Sequence, residues 1–464
     1  MPSNYVLLER IELNAATASV TFSNIPQSGY TDLKIVISAR TDRSGQPVDT
    51  LIVKYNGSST GYSQRAIYGN GSSAASYSSA TEQELSWVPG ATATANTFSN
   101  GEIYIPNYTS ANYKSASGDS VSENNATTGY QDMVAGLWSN TAAITSITLS
   151  SFTSSNILAN STFSLYGLAA VGTEPTIAPK AVGGSIYTDN TYWYHVFRTT
   201  DTFVPQVTLS CDILTVAGGG SGGVGRGGGA GAGGVLYKPS ASVTASSYTV
   251  TIGAGGAAIS SDSAGNTGTD TTITGSGISL TAKGGGGGGG WSNNGGIPGK
   301  TGGSGGGSRA IDSGTASGGA SNQTAGAGET AYGFAGGNSA AATTTVYGAS
   351  GGGAGAAGTG NNAWNNGGVG TSAFSSWLSA TNAGQNVSGT YYIAGGGGGG
   401  AQGGTGGSST GGSGGGGAGS SASTGFTATP ATINTGGGGG GVEGGFGTSG
   451  AGGSGIVIIR YAMA

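Results

Sequence analysis

Glycine is concentrated in the second part of the chain, and this distribution constrains the fold more than any other feature. Of the 100 glycines in 464 residues, 15 fall in residues 1–200 and 85 in residues 201–464. Several glycine tracts follow directly on β-type runs, as where residues 278–283 lead into the seven glycines of 284–290. We therefore expect two architectures in one chain, residues 1–171 and 185–464, joined by a Pro- and Gly-containing linker at residues 172–184.

Glycine tracts are often flexible linkers, but these tracts leave and re-enter a common set of predicted strands. Ordering a glycine costs roughly 0.5–1 kcal/mol more than ordering an alanine, so an ordered tract must recover that free energy through contacts. Extended threefold polyglycine II helices recover it by packing side by side and bonding laterally through their backbones. Collagen is a poor alternative, because residues 284–464 contain only Pro298 and Pro430. The sequence predicts polyglycine II helices framed by β-strands in residues 185–464.

The first part of the chain alternates apolar and polar residues in short runs rich in Val, Ile, Thr and Tyr. The pattern predicts strands at residues 6–13, 20–22, 33–38, 51–55, 102–105, 133–138, 144–149 and 163–168. Many short strands within about 170 residues favour an antiparallel, jelly-roll-like β-sandwich, which hides its sheet edges. The large residues predicted for its core are Trp87, Phe98, Trp138 and Phe152. The whole chain is therefore expected to be all-β.

Composition excludes several classes of function. A net charge of −5 offers no electrostatic attraction for nucleic acid or anionic lipid, so no nucleic-acid partner and no membrane insertion are expected. A single cysteine, Cys211, and a single histidine, His195, argue against a metal site, a cofactor and Ser-His-Asp catalysis. Both lie in predicted strands and are expected to be packed residues. The N-terminal residues do not match a signal peptide.

Two segments resemble bacteriophage structural proteins. The strand-to-glycine pattern of residues 211–220, 228–235, 248–256 and 455–461, with residues 194–197 before it, resembles the glycine-rich domain of phage tail-fibre and adhesin proteins. Residues 18–26, 30–33 and 135–139 are similar to a β-module of phage structural proteins. The resemblance implies a virion appendage, a tail fibre or distal adhesin made in the host cytoplasm. Since no catalytic set of residues is recognisable, we expect a non-enzymatic protein. In such adhesins a rigid bundle of glycine helices carries segments that touch the host receptor.

Aromatic and amide residues between the glycine tracts are the candidates for receptor contact. An aromatic ring can stack on the apolar face of a sugar while amides bond its hydroxyls, and amphipathic rings also suit protein receptors. The partner would be a host cell-surface glycan or protein. The same residues could instead cap the glycine helices or form turns. The candidate receptor-binding residues are Trp291, Asn293, Asn294, Trp364, Asn365, Asn366 and Trp377.

Other functions and partners stay open at the level of the sequence. A capsid decoration or head-fibre protein would need the same stiff domain without receptor contact. A glycan depolymerase is the more remote alternative, because it needs two carboxylates at a defined separation. Contacts with other virion proteins are expected, and a homotrimer is possible, since phage fibres usually have three chains.

Overall fold

The chain is almost entirely β. The computed structural model describes residues 5–123, 129–169, 178–189, 191–292, 295–311, 314–340, 347–360, 365–400, 409–420, 427–443 and 447–463. The regular elements of these residues are strands and one six-residue helix, which confirms the all-β prediction. No helix in these ranges has both the length and the apolar character needed to cross a membrane.

The chain divides into two compact units. The first comprises Met1–Lys180, Ser185–Trp193 and Ala462–Ala464, and the second comprises Ala181–Gly184 and Tyr194–Tyr461. Residues 172–177 of the predicted linker lie outside the described residues. Residues 185–193, expected to open the glycine-rich domain, group with the first unit, because Ile186 pairs with Arg10 of the first strand.

The described residues of the first unit form thirteen strands. They are β1 Tyr5–Glu12, β2 Ser19–Phe22, β3 Tyr30–Ser38, β4 Val48–Tyr55, β5 Tyr62–Gly69, β6 Ala74–Ser79, β7 Glu84–Pro89, β8 Asn100–Ile105, β9 Lys114–Ser122, β10 Tyr130–Trp138, β11 Ile147–Ser151, β12 Thr162–Ala169 and, after β13 of the second unit (Ala181–Val182), β14 Ser185–Thr188. Strands β1-β12-β3-β8 form one layer, and β2-β11-β4-β7 form the other. This is the strand arrangement of an eight-stranded jelly roll, as the sequence predicts.

Four strands extend the first layer beyond the jelly roll. The order β8-β9-β10-β5-β6 adds the hairpins β9–β10 and β5–β6 to its edge. Strand β7 of the other layer lies close against them, because a β-carbon on Gly118 would overlap the carbonyl of Leu85. The sequence does not predict β5, β6, β7 or β9. In β6 and β9, Ser, Gly and Ala replace most of the alternating apolar residues, and in β5 and β7 the apolar residues do not alternate regularly with polar ones.

The core of the first unit is built from β-branched and aromatic side chains. Trp138 is 1% exposed and packs with Tyr55 and Tyr62, at ring-centroid distances of 5.4 and 6.2 Å. The prediction that Phe152 is a core residue is wrong, because this side chain follows the last residue of β11 and is 51% exposed. Trp87 and Phe98 are only partly buried.

Two sheets form the frame of the second unit. Its remaining elements are β15 Tyr192–Phe197, β16 Asp201–Pro205, β17 Leu209–Val216, β18 Val235–Val243, β19 Tyr248–Thr251, β20 Thr271–Gly275, β21 Ile278–Ala282, β22 Gly290–Ser292, β23 Gly295–Ile297, β24 Thr315–Ala316, β25 Thr330–Tyr332, β26 Ser339–Ala340, α1 Ser375–Ala380, β27 Gln385–Val387, β28 Thr390–Tyr392 and β29 Ile456–Ala462. One sheet has the order β25-β18-β17-β29-β15, and the other has the order β13-β16-β19-β20-β21.

The glycine tracts of the second unit form hydrogen bonds with one another through their backbones. In the central tract, residues 228–234, Gly228 and Gly231 donate to Gly289 and Gly286, with N···O distances of 2.8 Å. Three residues thus separate successive bonds to the same neighbour, which is the period of a threefold extended helix. Residues between them bond to other tracts, as Gly229 does to Ala349 at 2.9 Å. We call this assembly of tracts the glycine lattice.

Six tracts surround the central tract. It donates to residues 283–289, 349–352 and 436–439, and it accepts from residues 220–223 and 304–307 and from Gly397 of the tract that begins at Gly395. The central tract contains Ala230 and Ala232, but glycine is required where a neighbouring tract comes closest. A β-carbon on Gly229 would overlap the carbonyl oxygen of Gly397, and a β-carbon on Gly231 would overlap the carbonyl oxygen of Ser304. The lateral bonds recover the ordering cost that a free glycine tract could not.

Candidate functional site

The glycine tracts bring several chain reversals to the end of the lattice away from the frame strands. Strands β17 and β21 enter the lattice at Gly218 and Gly284, and the first tract reverses at residues 224–227, where Gly225 and Arg226 have φ of 81° and 55°. The amide of Gly227 donates to Val442 at 2.7 Å, and that of Gly400 donates to Gly227 at 2.9 Å. We call this region, residues 224–227, 262–263, 290–291, 308–310 and 442–443, the loop end.

Trp291 is the most prominent side chain of the loop end. It is 37% exposed, and its amide donates to the carbonyl of Val224 at 3.0 Å. The guanidinium of Arg309 lies 4.2 Å from the centroid of the indole ring, whereas Arg309 as a whole is 2% exposed. A buried cation over one ring fixes the orientation of that ring at the surface.

Backbone bonds connect the charged residues of the loop end. The amide of Arg226 donates to the carbonyl of Glu443 at 2.5 Å, and that of Ala310 donates to Arg226 at 3.0 Å. The carboxylate of Asp262 lies beside Gly225, where it would meet an added β-carbon at 2.8 Å. Charges of both signs, the guanidinium of Arg309 and the carboxylate of Asp262, therefore lie near the exposed indole.

An apolar cluster lies behind this surface. Val224 and Val442 are fully buried and pack with Ala428, and Ile259 covers them. Because apolar contacts and backbone bonds hold both sides of the 224–227 reversal, the loop end is an ordered support for its exposed side chains.

The structure separates the seven predicted contact residues. Asn293, Asn294 and Trp364 lie outside the described residues. Trp291 and Asn366 are exposed, although the side-chain oxygen of Asn366 accepts a hydrogen bond from the amide of Thr410 at 2.9 Å.

Asn365 and Trp377 are buried and do not present surfaces for contact. The side-chain amide of Asn365 donates to the carbonyl of Gly348 at 2.9 Å, so this residue caps the lattice, which is the alternative that the sequence left open. Trp377 is 4% exposed because α1 packs its indole against Phe374 and Tyr237, at centroid distances of 5.6 and 5.8 Å.

Sequence reasoning missed Arg309, which sets the orientation of Trp291. The signal was present, since Arg309 follows a glycine tract as Trp291 does, but nothing in the sequence says which two tracts end side by side.

The two residues with the most distinctive side-chain chemistry are packed in the frame. His195 is fully buried between the carbonyl of Gly183 and the hydroxyl of Tyr461, at 2.8 and 3.1 Å, and burial lowers its pKa to about 4. Burial raises the pKa of the Cys211 thiol to about 12. Among the described residues, no group of three or more His, Cys, Asp and Glu side chains could hold a metal ion.

One comparison with known proteins gives a match. The family model described as "Glycine-rich domain" matches residues 198–462, which is more than half of the chain. No curated protein matches the chain.

Proposed function

Because the chain belongs to the glycine-rich domain family, we propose that it is a non-enzymatic attachment protein of a phage virion. In this proposal the glycine lattice is the rigid support, and its loop end contacts a receptor on the host surface. The protein would be a tail fibre or distal adhesin, made in the host cytoplasm.

The observation that carries the proposal is the bonding of the central tract on all sides. Residues 228–234 bond to six other tracts, so the lattice does not depend on side-chain packing along its length. A support of this kind holds the loop end at a fixed distance from the frame. Loops on a rigid scaffold commonly carry binding residues.

Trp291 supports a glycan or protein receptor at the loop end. A partly exposed indole near the charged groups of Arg309 and Asp262 offers an apolar face and polar partners together. Tryptophan and arginine are also the residue types most enriched at positions that dominate binding energy.

Adsorption to host cells tests the proposal. We expect Trp291→Ala to reduce the adsorption rate at least tenfold, because truncation of a central aromatic contact costs roughly 2 kcal/mol or more. Phe334→Ala is the matched control: this side chain is 43% exposed, and its carbonyl accepts from Gly305 part-way along a tract rather than at the loop end. Equal adsorption of wild type and Trp291→Ala would remove the loop end from the proposal.

The position of the protein on the particle distinguishes the tail fibre from a capsid decoration or head fibre. Immunogold labelling of intact virions with an antibody against the first unit should place the label at the distal tail. Label spread over the capsid would favour the decoration protein. Mass measurement of the full chain in solution would test the expected homotrimer.

A further inference from the structure

The first unit carries a groove on the four strands that extend its jelly roll. The groove has a volume of about 810 Å³ and lies across β8, β9, β10, β5 and β6. This volume falls in the range of about 300–1,000 Å³ that is typical of small-molecule sites. The eight strands of the jelly roll complete the two layers without β5, β6, β9 and β10, so these hairpins add a surface that the sandwich does not require.

The strand register arranges the groove in two parallel rows. In the first row, Asp119 pairs with Met133, and Met133 pairs with Ile67. In the second row, Ser117 pairs with Ala135, and Ala135 pairs with Arg65. Both rows continue onto β8 on one side and β6 on the other. The second row ends at Tyr104 on β8 and at Ser78 on β6.

The middle of the groove is apolar and its flanks are polar. Ile67 and Met133 are 60% and 56% exposed, among the highest values for large apolar side chains in the described residues. Ser117 and Asp119 lie on one side of this apolar centre, and Arg65 lies on the other. At one end the hydroxyl of Tyr104 donates to Asp32 at 2.6 Å, which fixes the ring.

The groove does not favour a strongly charged ligand. Glu102, which also lines the groove, forms an ion pair with Lys34 at 2.6 Å, and the cation of Arg65 balances the carboxylate of Asp119 in the lining. An anionic glycan or a nucleic acid would gain little from such a surface.

The floor of the groove also disfavours an extended peptide. Strands β9, β10 and β5 each pair on both sides, so their backbone groups are already used in the sheet. A peptide could add a strand only at the edge, next to β6, and not on the floor. Recognition on the floor must use side chains, and hydroxyl, carboxylate and guanidinium groups around an apolar patch match the hydroxyls and C–H faces of a sugar.

From these observations we infer that the groove binds a neutral oligosaccharide across strands β8–β6. Met133 and Ile67 contact the apolar faces of the sugar rings, while Arg65, Asp119 and Ser117 bond to hydroxyls. This site is in the first unit and is independent of the loop end proposed above.

An array of immobilised oligosaccharides, neutral, sialylated and phosphorylated, tests the inference with the full chain. We expect neutral glycans to retain the protein, and Met133→Lys to weaken this retention at least tenfold. Leu137→Lys is the matched control, because Leu137 lies on the same face of β10, is 36% exposed and does not line the groove. Trp291→Ala should leave the Met133-dependent part of the retention unchanged, which keeps this result separate from the attachment proposal. Since Met133→Lys could affect folding, Ile67→Ala provides a second, milder variant with the same expected direction.

Several outcomes would overturn the inference. Retention of no glycan, retention of anionic glycans only, or equal retention of wild type, Met133→Lys and Ile67→Ala would each do so. A dimer in solution that Met133→Lys dissociates, without any glycan retention, would instead assign the groove to a second copy of the chain.

Discussion

The guanidinium of Arg460 lies 4.1 Å from the centroid of the Trp377 indole ring. Arg460 belongs to β29 and forms an ion pair with Asp212 of β17 at 3.0 Å, so the cation is held by two frame strands. Helix α1 has only six residues and is too short to be stable by itself. The contact between Arg460 and Trp377 therefore attaches the helix to the frame.

Truncation of Trp377 should destabilise the second unit. Trp377→Ala removes a buried indole from among Phe374, Tyr237 and Arg460, and such changes typically cost roughly 3–5 kcal/mol. We expect a lower midpoint of unfolding in thermal denaturation. Trp291→Ala is the control, because its ring is partly exposed and its loss should leave the midpoint nearly unchanged. A Trp377→Ala protein as stable as wild type would contradict the packing role.

An alanine in place of Gly231, between Ala230 and Ala232 of the central tract, should destabilise the lattice. The added methyl group of Gly231→Ala would overlap the carbonyl of Ser304, and overpacking of this kind costs roughly 1–3 kcal/mol or more. Gly69→Ala is the comparison, since the nearest atom to its added β-carbon is 3.8 Å away. Urea unfolding followed by circular dichroism measures both variants. If Gly231→Ala is no less stable than Gly69→Ala, the tracts of Gly231 and Ser304 do not lie as close together in solution as the structure places them.

Backbone hydrogen exchange should distinguish the centre of the lattice from its edge. Amides of residues 228–234 bond to tracts on several sides, whereas Ala254, Ala257 and Ala258 are exposed in an outer tract. We expect the central amides to exchange at least about tenfold more slowly than those of Ala257 and Ala258. Exchange of the central tract at the rates of an unstructured peptide would show that the tracts are not bonded in solution.

The sequence indicates the lattice but not its connections. The ordering cost of glycine and the adjacent strands predict lateral bonding, and the three-residue bonding period agrees with this. Which tract bonds to which cannot be predicted, because residues such as Gly229 and Gly397 have no side chains to distinguish them. Asn365 and Trp377 illustrate the same limit. Like Trp291, each is an aromatic or amide residue between glycine tracts, but each is buried by neighbours distant along the chain.

Strands without apolar alternation were missed for a related reason. The inward positions of β9 are small residues, among them Ala116, Gly118 and Ser120, and β7 approaches the last two closely. An alternating apolar pattern reveals strands whose side chains fill a core. Here the backbone of β7 fills the space next to β9, so no such pattern is present. The groove of the first unit lies on these strands and could not be located from the sequence.

The last prediction concerns Asp132, which is 1% exposed beneath the extended sheet and accepts a hydrogen bond from Ser120. Burial raises its pKa from 3.8 to about 7. Because the folded state then binds a proton that the unfolded state has released, the contribution of Asp132 to stability is greatest below about pH 4 and falls as pH rises to about 7.

Asp132→Asn should remove this part of the pH dependence. Relative to wild type, we expect the variant to gain a few kcal/mol of unfolding free energy between about pH 4 and pH 8, at roughly 1.4 kcal/mol per pKa unit. Urea unfolding at several pH values measures the difference, and Asp262→Asn, at an exposed carboxylate of the second unit, controls for the loss of a charge. If the unfolding free energies of wild type and Asp132→Asn change in parallel with pH across this interval, Asp132 is charged in the folded protein and burial does not raise its pKa.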